Sequence, residues 1–152
     1  MHPVETAAQM LKAVQTLLPA DAAVFAAAVA DWRVDGASDE KIKKDGSGTL
    51  PCLKFAENPD ILATVSQGEN RPGLVVGFAA ETQNVIENAT AKRARKGCDW
   101  IVANDVSPET GIMGGNENTV TVIDKNGAEA WPEMPKAHVA TKLAARIADA
   151  LS

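Results

Sequence analysis

The chain has 152 residues, 45% of them apolar and 23% charged, with a formal charge of −5. That length and balance describe one compact domain and argue against a disordered chain. The negative balance argues against non-specific nucleic-acid binding, which needs a basic face, yet leaves room for a small phosphorylated ligand in a local cluster of lysines.

The longest apolar stretch, residues 22–30, is nine residues, far below the roughly 20 that a membrane-spanning helix needs. The opening "MHPVETAAQM" lacks the basic and apolar segments of a signal peptide. Cys52 and Cys98 match no metal or redox spacing and read as buried or incidental thiols in a reducing cytoplasm.

Residues 6–18 predict an amphipathic helix, with Thr6 and Gln9 at capping-box spacing and Pro19 as its stop. Ala7, Met10, Leu11, Val14, Leu17 and Leu18 fall roughly on one face. Residues 22–31, "AAVFAAAVAD", are apolar without alternation and predict a strand buried on both faces. The polar, lysine-rich residues 32–50 read as an exposed loop, and residues 50–57 as a short strand. In "NPDILATVSQ" Asn58 is the expected N-cap of a helix, with Pro59 at its first position and Asp60 in its first turn.

Residues 71–81 predict a second buried strand. Residues 82–97 predict a helix capped by Thr82 and ended by Gly97. "CDWIVAND" is a third strand. "NTVTVIDKNGAEAWP" alternates with period two around Asn126-Gly127 and reads as a hairpin. Residues 136–151 close the chain as an amphipathic helix. Strands alternating with helices predict an α/β fold: a Rossmann-like, mostly parallel sheet flanked by helices, with an antiparallel hairpin extension at one edge. No domain boundary is visible within residues 1–152.

Polar residues sit at three strand ends: Asp31, then Glu81 and Thr82, then Asn104 and Asp105. In a parallel sheet such carboxyl ends line one edge, where doubly wound folds bind ligands. Each alone reads equally well as a cap or loop residue. Lys92 and Lys96, spaced i, i+4, project from one helix face. They are either a solvated basic face or a polyphosphate clamp. Lys41, Lys43 and Lys44 in "KIKK" offer the same choice between a solvated loop and a lid over a triphosphate. "DGSG" and "GGN" lack the order of a phosphate loop and read as turns. His2 and His138 have no partner pattern.

In order, "AAAVADWRV", "EKIKKDGSG", "ENPDILATV", "VVGFAAET", "AKRARKGCDWIVANDVS" and "NTVTVID" resemble phosphopantothenate–cysteine ligase. In many bacteria this ligase is the C-terminal part of a bifunctional flavoprotein of coenzyme A synthesis. The match runs from about Ala22 to the end of the chain with near-family spacing. Each motif is weak alone; six in register are specific.

The resemblance implies that CTP activates 4′-phosphopantothenate as an acyl-cytidylate, which L-cysteine then captures. It implies that the backbone of Phe25, Ala26 and Ala27 lines the nucleotide, and that Asp31 contacts the nucleotide or its Mg²⁺. Lys41 would be the catalytic loop lysine on the triphosphate. Asn58, Pro59, Asp60 and Ile61 would bind ribose and base, Phe78 would pack at the cytosine, and Lys92 and Lys96 would hold phosphate. Ala28, Asn104 and Asp105 are assigned structural or substrate-side roles. It also implies a cytoplasmic homodimer without nucleic-acid or membrane partners. FMN would belong only to a separate decarboxylase domain.

The family's domain opens with a strand, a Gly-Thr-rich phosphate loop and a segment whose Asn and Arg act on the acyl intermediate. "MHPVETAAQM" instead resembles the middle of that domain. The sequence is therefore expected to be an N-terminally truncated domain with most of the CTP site and part of the phosphopantothenate site. Two rival readings are a non-catalytic fragment that binds nucleotide or dimerises, and a Rossmann-type NAD(P) oxidoreductase. The second predicts a Gly-rich dinucleotide loop, and none is visible.

Overall fold

The computed structural model describes residues 1–36, 48, 52–106 and 117–152. A five-stranded sheet runs through it in the order β1-β4-β5-β7-β8. The strands are β1 (Ala22–Phe25), β4 (Leu74–Glu81), β5 (Trp100–Asp105), β7 (Val120–Asp124) and β8 (Gly127–Ala130). β1, β4 and β5 are parallel, and β7 and β8 continue the sheet antiparallel. The expected mixed α/β sheet with an antiparallel edge is the one observed.

Alternation along the central strands gives the sheet two apolar faces. Leu74 and Val76 of β4, Val102 of β5 and Val120 and Val122 of β7 point to one side. There they meet Val139 and Leu143 of α4 (Lys136–Leu151) and the buried Trp131. Val75, Ala79, Ile101, Ala103 and Ile123 point to the other side, against Ala89 of α3 (Val85–Lys96), with Leu62 of α2 (Ile61–Ser66) packed beside them. α1 (Ala7–Thr16) lies next to α2. The capping box forms: the Gln9 amide donates to Thr6 Oγ1, and Gln9 Oε1 accepts from the Thr6 amide. The predicted apolar face is half-buried except at Leu17, which is 60% exposed.

Several expectations change. The alanine-rich run forms only the four-residue β1, not a strand buried on both faces, and Val24 is 47% exposed. β1 is an edge strand, and small alanine side chains bury too little area to hold the rest of the run extended against the sheet. The supposed loop at 32–50 begins with β2 (Trp32–Val34), which pairs antiparallel with β3 (Phe55–Glu57). A further ribbon, β6 (Glu117–Asn118) with β9 (Met134–Pro135), was not visible in the sequence.

Helix starts shift as well. α2 is capped by Asp60, whose Oδ1 accepts from the Ala63 amide at 3.0 Å. α3 starts from Asn84 in the left-handed region, φ +46°, rather than from Thr82; asparagine is one of the few side chains that tolerate it. Gly97 ends α3 as expected, with φ +73°.

Candidate functional site

A cavity of about 350 Å³ opens where the carboxyl end of β1 meets the start of α2. Its wall draws on six segments. The turn after β1 gives Ala26, Ala27, Val29, Ala30 and Asp31; the entry to α2 gives Asn58, Pro59, Asp60, Ile61 and Leu62. Phe25 and Val24 come from β1, Phe78 from β4, Lys92 and Lys96 from α3, and Met10 and Val14 from α1.

Asn58 joins the two segments. Its Nδ2 donates to the Ala30 carbonyl at 2.8 Å, and its amide donates to the Asp31 carbonyl at 2.8 Å. With the side chain committed to Ala30, capping of α2 falls to Asp60. The stagger of β4 decides how close α2 can come. At Gly77, opposite Phe25 in the register, an added Cβ would lie 2.5 Å from Leu62 Cδ2 and 3.0 Å from Ile101 Cδ1. The missing side chain lets α2 settle onto the strand.

Lys92 and Lys96 lie one helical turn apart and both reach the cavity. Lys96 is ion-paired with Asp60 Oδ2. Partial burial acts to raise the Asp60 carboxyl. The hydrogen bond from Lys96, the Ala63 amide and the charges of Lys96 and Arg95 outweigh it and hold the group below its ordinary value. Gln67 Nε2, at the end of α2, donates to the carbonyls of Arg95 at 3.3 Å and Lys96 at 3.4 Å. Arg93 is turned to another task, donating from Nε to the Asp99 carbonyl.

Of the residues singled out in the sequence, Phe25, Ala26, Ala27, Asp31, Asn58, Pro59, Asp60, Ile61, Phe78, Lys92 and Lys96 thus surround one space. Lys41 lies outside the described residues. Ala28, Asn104 and Asp105 do not bound the cavity. Asn104 Oδ1 accepts from Asn118 Nδ2 at 3.1 Å, tying the end of β5 to β6. Asp105 pairs with Glu81 in the β4–β5 register. Sequence reading missed Met10, Val14, Val24, Val29, Ala30 and Leu62. The one-turn spacing of Met10 and Val14 on α1 signalled packing, not a cavity. Cys98 is buried, and burial pushes its thiol up.

For a divalent cation, the fit is partial in an informative way. Asp31 is an exposed carboxylate on the cavity wall, and the described residues contain no group of three or more acidic, histidine or cysteine side chains that could hold a metal. That donor set suits Mg²⁺ carried mainly by phosphates and water, not an all-protein cage. Among the described residues no helix is long and apolar enough to cross a membrane.

The chain is similar to the coenzyme A biosynthesis bifunctional protein CoaBC of Vibrio cholerae, 42% identical over 110 residues, covering 72% of this chain and 27% of that protein. The Escherichia coli K12 protein of the same name is 43% identical over 107 residues, covering 70% and 26%. A cysteine/cysteine sulfinic acid decarboxylase from an unknown prokaryote is 36% identical over 146 residues, covering 95% and 40%. The chain spans about a quarter to a third of the length of the CoaBC relatives. Among solved structures, the C-terminal domain of a CoaBC protein superposes with a TM-score of 0.72 at 31% identity, over 97% of this chain and 66% of that one. A DNA/pantothenate metabolism flavoprotein from Streptococcus pneumoniae gives 0.74 at 17% identity, a likeness of fold. The model of the DNA/pantothenate metabolism flavoprotein C-terminal domain matches residues 1–151, and the chain belongs to that family.

Proposed function

We propose that the cavity binds CTP and that the chain serves the ligation of 4′-phosphopantothenate to L-cysteine in coenzyme A biosynthesis. The observation that carries the reading is the convergence of eleven residues, scattered from Phe25 to Lys96, on one space of nucleotide size. Membership of the family, and relatives named for coenzyme A biosynthesis, support it.

The chemistry asks for such a site. A carboxylate is a poor acyl donor until its oxygen becomes part of a leaving group. In the proposed reaction the pantothenate carboxylate attacks the α-phosphorus of CTP and pyrophosphate departs. The cysteine amine then attacks the acyl carbon, loses a proton, and CMP departs. Lys92 and Lys96 stabilise the phosphate charge that grows in the first step. Lys41 is proposed as the further lysine on the triphosphate. Asn58 keeps the Ala30–Asp31 backbone in place beside the nucleoside, and Phe25 and Phe78 give the base apolar surface. Asp31 would hold Mg²⁺ together with the nucleotide phosphates, and that ion supplies charge neutralisation when bound. A homodimer is part of the same proposal.

Calorimetric titration with CTP, ATP, UTP and NADH in the presence of Mg²⁺ tests the reading. CTP is expected to bind selectively. Lys92→Ala is expected to weaken it about tenfold, the scale of a charge-assisted phosphate contact. NADH binding in place of CTP would overturn the assignment in favour of an oxidoreductase. Product formation, measured as phosphopantothenoylcysteine by mass spectrometry, separates a ligase from a domain that only binds the nucleotide.

A further inference from the structure

The charged side chains lining the cavity among the described residues are Asp31, Asp60, Lys92 and Lys96, two of each sign, so they sum to zero. Lys96 is held at both ends by α2. Gln67 binds its backbone carbonyl, and Asp60 binds its ammonium. Asp60 in turn has both oxygens engaged, one by Lys96 and one by the Ala63 amide. A carboxylate beside a phosphate-binding lysine offers a bare polyanion nothing. It cancels the attraction and adds repulsion at contact range.

We propose that Asp60 is a specificity-determining residue that masks Lys96. A polyphosphate without a nucleoside binds poorly, because it must displace the carboxylate with charge alone. A nucleotide gains contact with the apolar wall formed by Phe25, Leu62 and Phe78 and can draw Lys96 away. The inference rests on the nucleotide reading of the cavity and extends it from which ligand fits to which ligands are turned away.

The test compares wild type with Asp60→Asn, since asparagine still caps a helix while the charge is gone. Asp60→Ser is the second capping variant if the first fails to fold. Tripolyphosphate and CTP are titrated separately by calorimetry at equal Mg²⁺. Tripolyphosphate is expected to bind the variant more tightly by on the order of fivefold, the scale of a partly exposed ion pair, with a smaller gain for CTP. Equal gains for both ligands, or no measurable tripolyphosphate binding by either protein, would overturn the mask. Nitrogen NMR of the lysine ammonium groups in the wild type adds a reading that needs no variant. The Lys96 signal is expected to respond to CTP at lower ligand concentration than to tripolyphosphate, and an equal response to both would count against the proposal. If wild type ignores CTP, the nucleotide reading falls, while the tripolyphosphate comparison still reads the mask.

Discussion

Gly77→Ala puts a methyl group where α2 meets the sheet. The new Cβ would stand 2.5 Å and 3.4 Å from the two methyls of Leu62, and 3.0 Å from Ile101 Cδ1. Ile101 is fully buried and has nowhere to go. Leu62 lines the cavity and can swing, so relief comes by pushing its side chain, or all of α2, toward the ligand. Overpacking of this kind costs about 1–3 kcal/mol. Replacing a strand glycine returns about 0.5–1 kcal/mol through the unfolded chain. The net loss is about 1–2 kcal/mol, a fall in Tm of about 3–6 °C for a domain of this length. Thermal unfolding by circular dichroism measures it, and CTP titration of the same variant is expected to show weaker binding. The double variant Gly77→Ala/Leu62→Ala sharpens the argument. Removing the clashing methyls is expected to make the pair less destabilised than the sum of its parts. Additive losses, or a Gly77→Ala protein as stable as wild type, would refute the close approach as the reason for glycine there.

Asp99 Oδ2 accepts from both Arg71 and the Val75 amide at 2.7 Å; Asp99→Asn is expected to lower the urea midpoint by a loss of about 1–2 kcal/mol. Arg146 pairs with Asp124 at 3.0 Å and with Glu129, and lies 5.0 Å from the Trp100 ring centre. Arg146→Met is expected to cost about 1 kcal/mol and to make stability less sensitive to salt. Asp60 has its folded pKa depressed below the ordinary 3.8, so its contribution is full above that value and is lost as pH falls through the lower folded one. Thermal midpoints of wild type and Asp60→Asn, measured from pH 7 downward, are expected to converge only below about pH 4. A gap that closed at pH 6 would show that another group controls it.

The elements with strong local signals were legible. The Thr6–Gln9 box, Gly97 and the alternation of β7 each state a local rule that the tertiary structure does not contest. What was hidden depends on partners distant in the chain. Asn58 reads as a cap until Ala30 claims its side chain, and only then does Asp60 take over. The alanine run reads as a buried strand because apolar composition reveals nothing about whether a strand ends up central or at an edge. The β2–β3 ribbon joins residues 32–34 to 55–57 across a polar stretch without periodicity. The pairing of Asp60 with Lys96 spans 36 residues, so i, i+4 spacing could place Lys96 on a helix face but not name its partner. The cavity residues themselves were found through resemblance, and spacing alone left each with a plain structural reading.

The three tryptophans stand in three different environments. Trp32 follows the cavity residue Asp31 in the chain and is 57% exposed. Trp100 and Trp131 belong to the apolar cluster on the α4 face of the sheet, with Trp131 2% exposed and Lys142 over its ring. Their emission is expected to divide by colour: a red-shifted component from the exposed Trp32 and a blue-shifted one from the interior. Ligand at Asp31 is expected to alter the first through its chain neighbour. The second is coupled to the cavity through Phe78, which lines it and packs into the same apolar cluster, so a single spectrum of the unlabelled protein separates a change at the exposed tryptophan from one in the interior.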